Sequence, residues 1–489
     1  MLFNSFEFIC IFFPLVTGLY FLLPQRWRWL LLLVASCWFY MTFVPVYILI
    51  LAFTIGVDYF AGIWIEQSEG RRRKLLLTAS ILANVGVLAF FKYFNFLNES
   101  IAEVVRGLGF QYGVPDLGII LPIGLSFHTF QSLSYTIEVY RKHQAAERRV
   151  GIFALYVMFY PQLVAGPIER PGNLLNQINS TTPGTGMRAK FDYGRVVEGL
   201  RQMLWGFFKK VVIADRCAVV VDQVYGAPEH YGALSIALAT YLFAVQIYCD
   251  FSGYTDIALG AARVMGFNLM VNFRTPYLSK NISEFWSRWH ISLSSWFRDY
   301  LYIPLGGNRV VKWRWYYNLM IVFLVSGLWH GADWTYVIWG GLHGGYLILA
   351  LVFAPLMLRF TKGIGLDRLP SLKKWLNIFI TVQLVSFAWI FFRANSIHDA
   401  NTLVHRLFNT PWALDDLRML LSDLPRSMLD FTLLLVIAFM AMDPLFDAWA
   451  KRDKPVPKGW VGATLYAAVL VGILLFGYFG STSFIYFQF

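Results

Sequence analysis

Charge is what this sequence has least of. Only 14% of its 489 residues are Asp, Glu, Lys or Arg, against about a quarter in soluble chains. Cysteine is scarce too: Cys10, Cys37, Cys217 and Cys249 are scattered, with no C-x-x-C pair. That excludes a disulfide framework and a structural zinc site. There is no G-x-S-x-G elbow, no H-E-x-x-H and no phosphate-binding glycine loop, so the usual serine-nucleophile, zinc-protease and P-loop chemistries have no carrier. None of the eight histidines is followed by an Asp five positions later, which removes the H-x-x-x-x-D acyltransferase box. No metal site or bound cofactor is expected. The N-terminus lacks a basic leader and a small-residue cleavage site, so MLFNSFEFICIFFPLVTGLYFLL reads as a retained first span.

Apolar residues are abundant. They make up 57% of the chain, with 18% aromatic, and they arrive in blocks near the ~20 residues a helix needs to cross hydrocarbon. Crossings are expected near Phe6–Leu23, Trp29–Val44, Val46–Ile65, Leu75–Leu97 and Gly118–Glu138, then Gly151–Ile168, Met203–Val224 and Tyr231–Tyr248. Later ones fall near Tyr316–Trp329, Asp333–Leu356, Leu376–Phe392, Phe431–Met442 and Val461–Phe479. Several are short or broken by Gly and Pro, so the expectation is about eleven true crossings with re-entrant and interfacial helices between them. The fold class is therefore an all-α polytopic membrane protein. It reads as a single integral-membrane domain over 1–489, with N-terminal spans to 150, a core over 151–395 and less distinctive spans over 396–489. The mixed stretch Asn401–Asp430 is expected to be an extramembrane helical hairpin or an interfacial helix.

The net charge of +12 belongs to the loops. Arg26 and Arg28, then Arg71–Lys74, then Arg141, Lys142, Arg148 and Arg149 occupy alternate connections, which predicts that these face the cytoplasm and the N-terminus lies outside. The excess of positive charge points to anionic membrane lipid, not to nucleic acid.

Ionisable groups at membrane depth mark functional candidates, and two stretches concentrate them. In NFRTPYLSKNISEFWSRWHISLSSWFRDYLYIPLGGNR (residues 272–309), apolar residues recur at helical spacing and Asn281 with Glu284 looks like a capping box. One continuous helix would set Ser283, Ser287, His290 and Ser294 on a single stripe with Arg298 just beyond. On pattern alone, an interfacial helix anchored by Trp286, Trp289 and Trp296, with His290 merely solvated, is the expectation. In NLMIVFLVSGLWHGADW, a helix beginning near Trp315 would carry His330 about 22 Å along its axis, flanked by Gly327 and Gly331. A neutral imidazole in such a place is what a general base requires, although a core histidine bonded to a backbone carbonyl fits the same pattern. Asp250 and Asp256, in YCDFSGYTDIALG, could line a cavity or orient an imidazole, but a structural role at a helix end is the expectation. His343, in GGLHGG, is expected to pack, with a tunnel-facing position as the alternative, and His128 reads as a core residue.

The blocks FWSRWHISLSSWFRDYLYIPLGGNR and GLWHGADWTYVIWGGLHG, about forty residues apart, resemble the membrane-bound O-acyltransferase (MBOAT) superfamily, more narrowly its bacterial AlgI/DltB-like branch. LPIGLSFHTFQSLSYTIEVYR, YPQLVAGPIERPGNLLNQI and YCDFSGYTDIALG are similar to further blocks of that branch in the same order, and the likeness runs to about residue 395. The resemblance implies helices arranged around a central tunnel, His330 as the catalytic base and His290 as its partner. Asp250, Ser287, Ser294, Arg298, Asn308 and His343 become candidates for the tunnel wall. It also implies an acyl donor, either acetyl-CoA or an acyl-carrier thioester, and an extracytoplasmic acetyltransferase as partner, all in a bacterial inner membrane. The expected activity is O-acetylation of an exported or cell-surface polysaccharide. Transfer of an aminoacyl group to teichoic acid, or a channel whose path is lined by histidine, are the alternatives.

Overall fold

The protein is described by a computed structural model covering residues 1–118, 121–181, 184–425, 428–451, 459–479 and 484–485. Every regular element among the described residues is a helix. Six helical stretches are long and apolar enough to cross a membrane: Pro45–Glu66, Gly70–Gly107, Ala233–Met265, Trp334–Gly363, Pro370–Arg393 and Met428–Leu445. Glu7–Leu22 and Trp460–Phe476 are shorter apolar helices. An all-α polytopic membrane protein is what these lengths and compositions make.

The chain forms two compact units, residues 1–206 with 254–270 and residues 207–253 with 271–485. The first begins with α1 (Phe13–Leu22), α2 (Gln25–Met41), α3 (Ile48–Glu66), α4 (Gly70–Leu88) and α5 (Phe94–Gly107), followed by α6 (Leu125–Tyr140), α7 (Val150–Met158), α8 (Leu174–Ile178) and α9 (Tyr193–Phe207). Helices α3, α4 and α6 pack together, and Gly62 on α3 leaves space for the Tyr135 ring of α6, which a Cβ would approach to 2.6 Å. Arg73 donates to the carbonyls of Val139 and Tyr140 at 2.9 and 2.8 Å, placing a cation on the negative end of α6. Between these helices the buried Asp58 carboxylate accepts from the Ser80 hydroxyl at 2.7 Å and from the Asn84 amide at 2.9 and 3.0 Å.

Two expected crossings are only partly helical. The one placed at 118–138 becomes helical at Leu125, after Gly124 in a left-handed turn (φ +78) pressed so close to the Leu163 carbonyl that a Cβ would sit 2.8 Å away. The one placed at 151–168 stops being helical after Met158, and the chain continues buried and irregular. Gln131 and Gln162 donate to the Tyr156 carbonyl there, at 2.5 and 2.8 Å, the kind of protein partner that non-helical backbone at membrane depth needs.

The second unit holds α10 (Asp215–Tyr225) and most of α11 (Ala233–Met265), whose residues from 254 onward belong to the first unit. Then come α12 (Ile282–Arg288), α13 (Ile291–Phe297), α14 (Lys312–His330), α15 (Trp334–Gly363) and α16 (Pro370–Arg393). The unit continues with α17 (Ile397–Asn409), α18 (Leu414–Asp423), α19 (Met428–Lys451) and α20 (Trp460–Phe476). Helices α17 and α18 cover most of the mixed stretch 401–430, where a helical hairpin or an interfacial helix is expected. Helix α11 is longer than its apolar run, because it carries straight on through YCDFSGYTDIALG. Asp250 and Asp256 therefore lie inside a helix, not at its end.

Candidate active site

The site is built on the α14–α15 corner. Gly327 and Gly340 face each other across it: a Cβ on Gly327 would fall 2.3 Å from the Tyr336 carbonyl oxygen, and one on Gly340 2.3 Å from that of Phe323. Only glycine permits this approach, so the two helices are held backbone to backbone. Helix α14 ends at His330, and Asp333 starts α15 by accepting the Thr335 N–H at 2.7 Å. His330 is thus the last helical residue before a short, rigid turn. Its side chain is 3% exposed, with the Trp329, Trp339 and Phe392 ring centroids 4.9, 4.9 and 5.5 Å from its own.

The expected single helix through His290 is two helices. The amphipathic spacing continues across residues 282–300, but α12 stops at Arg288, α13 starts at Ile291, and His290 between them has φ +43 and ψ 55. Such left-handed geometry is rare and costs about 1–2 kcal/mol for a residue with a Cβ. Asn272 holds the break: its carbonyl accepts the Ile291 N–H at 2.9 Å and its side chain accepts the Ser292 N–H at 3.2 Å. Arg274 N–H bonds the Arg288 carbonyl at 3.0 Å. Partners about twenty residues upstream override the local periodicity, so the polar stripe is interrupted. The fully buried His290 ring lies 4.7 Å from Phe251 and 6.1 Å from Trp329. One indole, Trp329, therefore contacts both imidazoles.

The predicted cap on α12 is present. Asn281 accepts the Glu284 N–H at 2.8 Å while Glu284 accepts the Lys280 N–H at 2.8 Å. Partial burial works against ionisation of Glu284, but the Lys280 N–H and the Arg288 cation outweigh it and hold the carboxyl below its ordinary value.

The remaining sequence candidates divide. His343 joins the aromatic cluster, 5.1 Å from Trp339 and 5.0 Å from Trp286, with its Nδ1 accepting the Trp286 indole N–H at 3.3 Å. Ser294 donates to the Trp289 carbonyl at 3.1 Å and so braces the break beside His290. Ser287 bonds back to the Glu284 carbonyl at 2.7 Å on an exposed face. Arg298 is exposed and pairs with Asp299 at 2.8 Å, and Asn308 is exposed after the α13 segment. The buried amide in that region is Asn318, which donates to the Gly307 carbonyl at 2.9 Å.

Asp250 belongs to a buried ionic cluster. Lys210 Nζ lies 2.5 Å from Asp250 and 2.8 Å from Asp215, and Asp250 also accepts the Ile485 N–H at 2.8 Å. Lys209 donates to Ser252 at 3.3 Å and stands 3.9 Å from Asp443, which accepts the Tyr248 hydroxyl at 2.7 Å. Opposite charges inside separate apolar spans were the available signal for this cluster. The tryptophans that frame the histidines carried no such signal, since one tryptophan among 18 looks like another. Among the described residues no three His, Cys, Asp or Glu side chains gather as a metal site.

A buried imidazole at a rigid helix end, with a second one sharing its aromatic neighbour, is the equipment of general-base chemistry in a dry setting. The family model of MBOAT, the membrane-bound O-acyltransferase family, matches residues 74–391, a span that contains all three of these histidines. The chain belongs to this family and is a membrane O-acyltransferase. Among curated proteins it is similar to a probable alginate O-acetylase AlgI of Pseudomonas aeruginosa, 39% identical over 85% of this chain and 77% of that protein. It is also similar to a peptidoglycan O-acetyltransferase of Helicobacter pylori, 33% identical over 82% of this chain and 78% of that one. A teichoic acid D-alanyltransferase of Streptococcus thermophilus is 31% identical over 55% of this chain and 68% of its own length.

Proposed function

We propose that this protein transfers an acetyl group from a thioester donor to a hydroxyl group of an exported or cell-surface polysaccharide. His330 acts as the general base and His290 positions it or the substrate. The acceptor's oxygen attacks the thioester carbonyl as His330 takes its proton, and the same proton then goes to the departing thiolate. General-base catalysis of this kind contributes about 10²–10⁴-fold, and holding donor and acceptor together away from water supplies much of the rest. Acetyl-CoA or an acyl carrier protein is the donor on the cytoplasmic side, and an extracytoplasmic acetyltransferase completes delivery. The protein sits in the bacterial inner membrane with its N-terminus outside, a reading supported by the alternation of basic loops.

The observation that carries the proposal is the pair of buried imidazoles on Trp329, in a chain whose O-acetylating relatives align over more than four-fifths of its length. D-alanyl transfer is the weaker reading, because those relatives align over little more than half of it. The test is mass analysis of surface polymers from a strain lacking the gene, complemented with wild type or His330→Ala. Wild type is expected to restore O-acetyl esters, and His330→Ala to insert in the membrane at normal level while restoring none. Ester content near wild type in His330→Ala rejects the assignment, and restored D-alanyl esters would replace acetyl with alanyl transfer.

A further inference from the structure

A base on the acceptor is half of an acyl transfer. When the hydroxyl oxygen bonds to the thioester carbonyl carbon, the carbonyl π pair moves onto its oxygen, and that oxyanion needs hydrogen-bond donors before the C–S bond breaks. Two groups in the aromatic cluster around His330 have nothing to bond. Trp339 Nε1 and His343 Nε2 are fully buried and have no hydrogen-bond partner among the described residues. Leaving a buried N–H without a partner is costly, and here two such groups lie on neighbouring rings.

Their geometry makes both of them donors. An indole N–H can only donate. His343 Nδ1 accepts the Trp286 N–H at 3.3 Å, so Nδ1 carries no proton and the ring's single N–H is at Nε2. Trp339 meets His330 edge-on at 4.9 Å and His343 at 5.1 Å. Trp339 is thus packed against both imidazoles, with its own N–H and that of His343 in one cluster with His330. The supports are rigid: Trp339 stacks on Trp389 at 5.8 Å, and Gly340 and Gly344 seat this turn of α15 against Phe323 and Met320 of α14.

We propose that Trp339 Nε1–H and His343 Nε2–H form the oxyanion-binding pair of the acyl transfer, with Trp286 setting the tautomer of His343. This rests on the proposed function above and adds to it the group that receives the negative charge. As the tetrahedral intermediate collapses, the oxygen's electron pair returns to carbon, the C–S bond breaks, and the proton on His330 passes to the sulfur.

The experiment uses the full-length protein purified in detergent, labelled acetyl-CoA as the probe thioester, and an oligosaccharide acceptor. Trp339→Phe and His343→Phe keep an aromatic ring at each position and delete the N–H. Each is expected to lower kcat by about 10²–10³-fold with KM for acetyl-CoA changed by less than about threefold. His343→Gln, whose amide N–H reaches the Nε2 position, is expected to stay within about tenfold of wild type, whereas the shorter His343→Asn falls with the phenylalanine variant. A monodisperse phenylalanine variant with near-wild-type kcat overturns the proposal. So does equal activity of His343→Gln and His343→Asn, a comparison that holds even where the phenylalanine variants fail to fold. His330→Ala separates the two levels: if it is dead while both N–H deletions are active, the oxyanion pair is wrong and the base stands. Wild-type protein that moves label from neither acetyl-CoA nor an acetyl-loaded acyl carrier protein to any hydroxyl acceptor takes down the proposed function and this pair with it.

Discussion

At the scale of the residue, His290 is held where its backbone is least comfortable. A left-handed conformation between two short helices suits glycine or asparagine better than histidine, yet the chain keeps an imidazole there, braced by Asn272 and Ser294. Strain at a position whose side chain is buried beside another histidine's neighbour is consistent with selection for the ring itself. His290→Asn tests this: asparagine tolerates the geometry, so stability is expected within about 1 kcal/mol of wild type while transfer falls more than about tenfold. Thermal unfolding in detergent and O-acetyl content read the two effects separately. Both histidines stand out in the sequence by their blocks. The break at His290 does not, because Ile282, Phe285, Trp289, Leu293 and Phe297 keep helical spacing straight through it. The interactions that interrupt the helix come from Asn272 and Arg274, and no local pattern records them.

At the scale of the element, the α14–α15 corner is the rigid part. Its helices meet through glycine, and the meeting places His330, Trp339 and His343 in one aromatic cluster. Gly327→Ala would drive a methyl group against the Tyr336 carbonyl, which is backbone and cannot rotate away. The expected result is a loss of about 1–3 kcal/mol, seen as a lower melting temperature, and a loss of transfer larger than the fall in folded protein accounts for. Gly341→Ala, whose Cβ meets only the end of the Leu324 side chain at 3.8 Å, is the control and is expected to behave as wild type. The small-residue spacing is readable in the sequence as a close-packing signal. Which helix supplies the opposing surface is readable only by pairing elements, and here the partner is the very next one in the chain.

At the scale of the whole molecule, the charge that composition shows to be scarce is also unevenly used. Among the described residues most of it is at least partly exposed, but Lys209, Lys210, Asp215, Asp250 and Asp443 are buried together, joining α10, α11, α19 and the chain near Ile485. Removing one partner of such a cluster leaves its opposite uncompensated, which costs about 3–5 kcal/mol. Lys210→Met is therefore expected to lower folded yield sharply and to speed proteolysis at the C-terminal end, measured by limited digestion of purified protein. Retained wild-type stability would show that the cluster does not anchor the second unit. Asp250, a candidate for the tunnel wall by resemblance, takes its bonds from Lys210 and Ile485, which gives it this structural task.

The order and composition of the apolar blocks determined by themselves that this is an all-α membrane protein, because hydrocarbon thickness and the need to satisfy every backbone polar group leave few other solutions. Two histidine blocks marked the candidate site. Tertiary structure alone decided that Asp250 pairs with Lys210, that His290 sits at a helix break, and that Trp329 and Trp339 stand beside the imidazoles. Each of these depends on which side chain faces which across helices, and a sequence records faces only where periodicity persists and partners are near. Where the partner lies on another helix, or a bond from upstream interrupts the period, the information exists only in the packed chain.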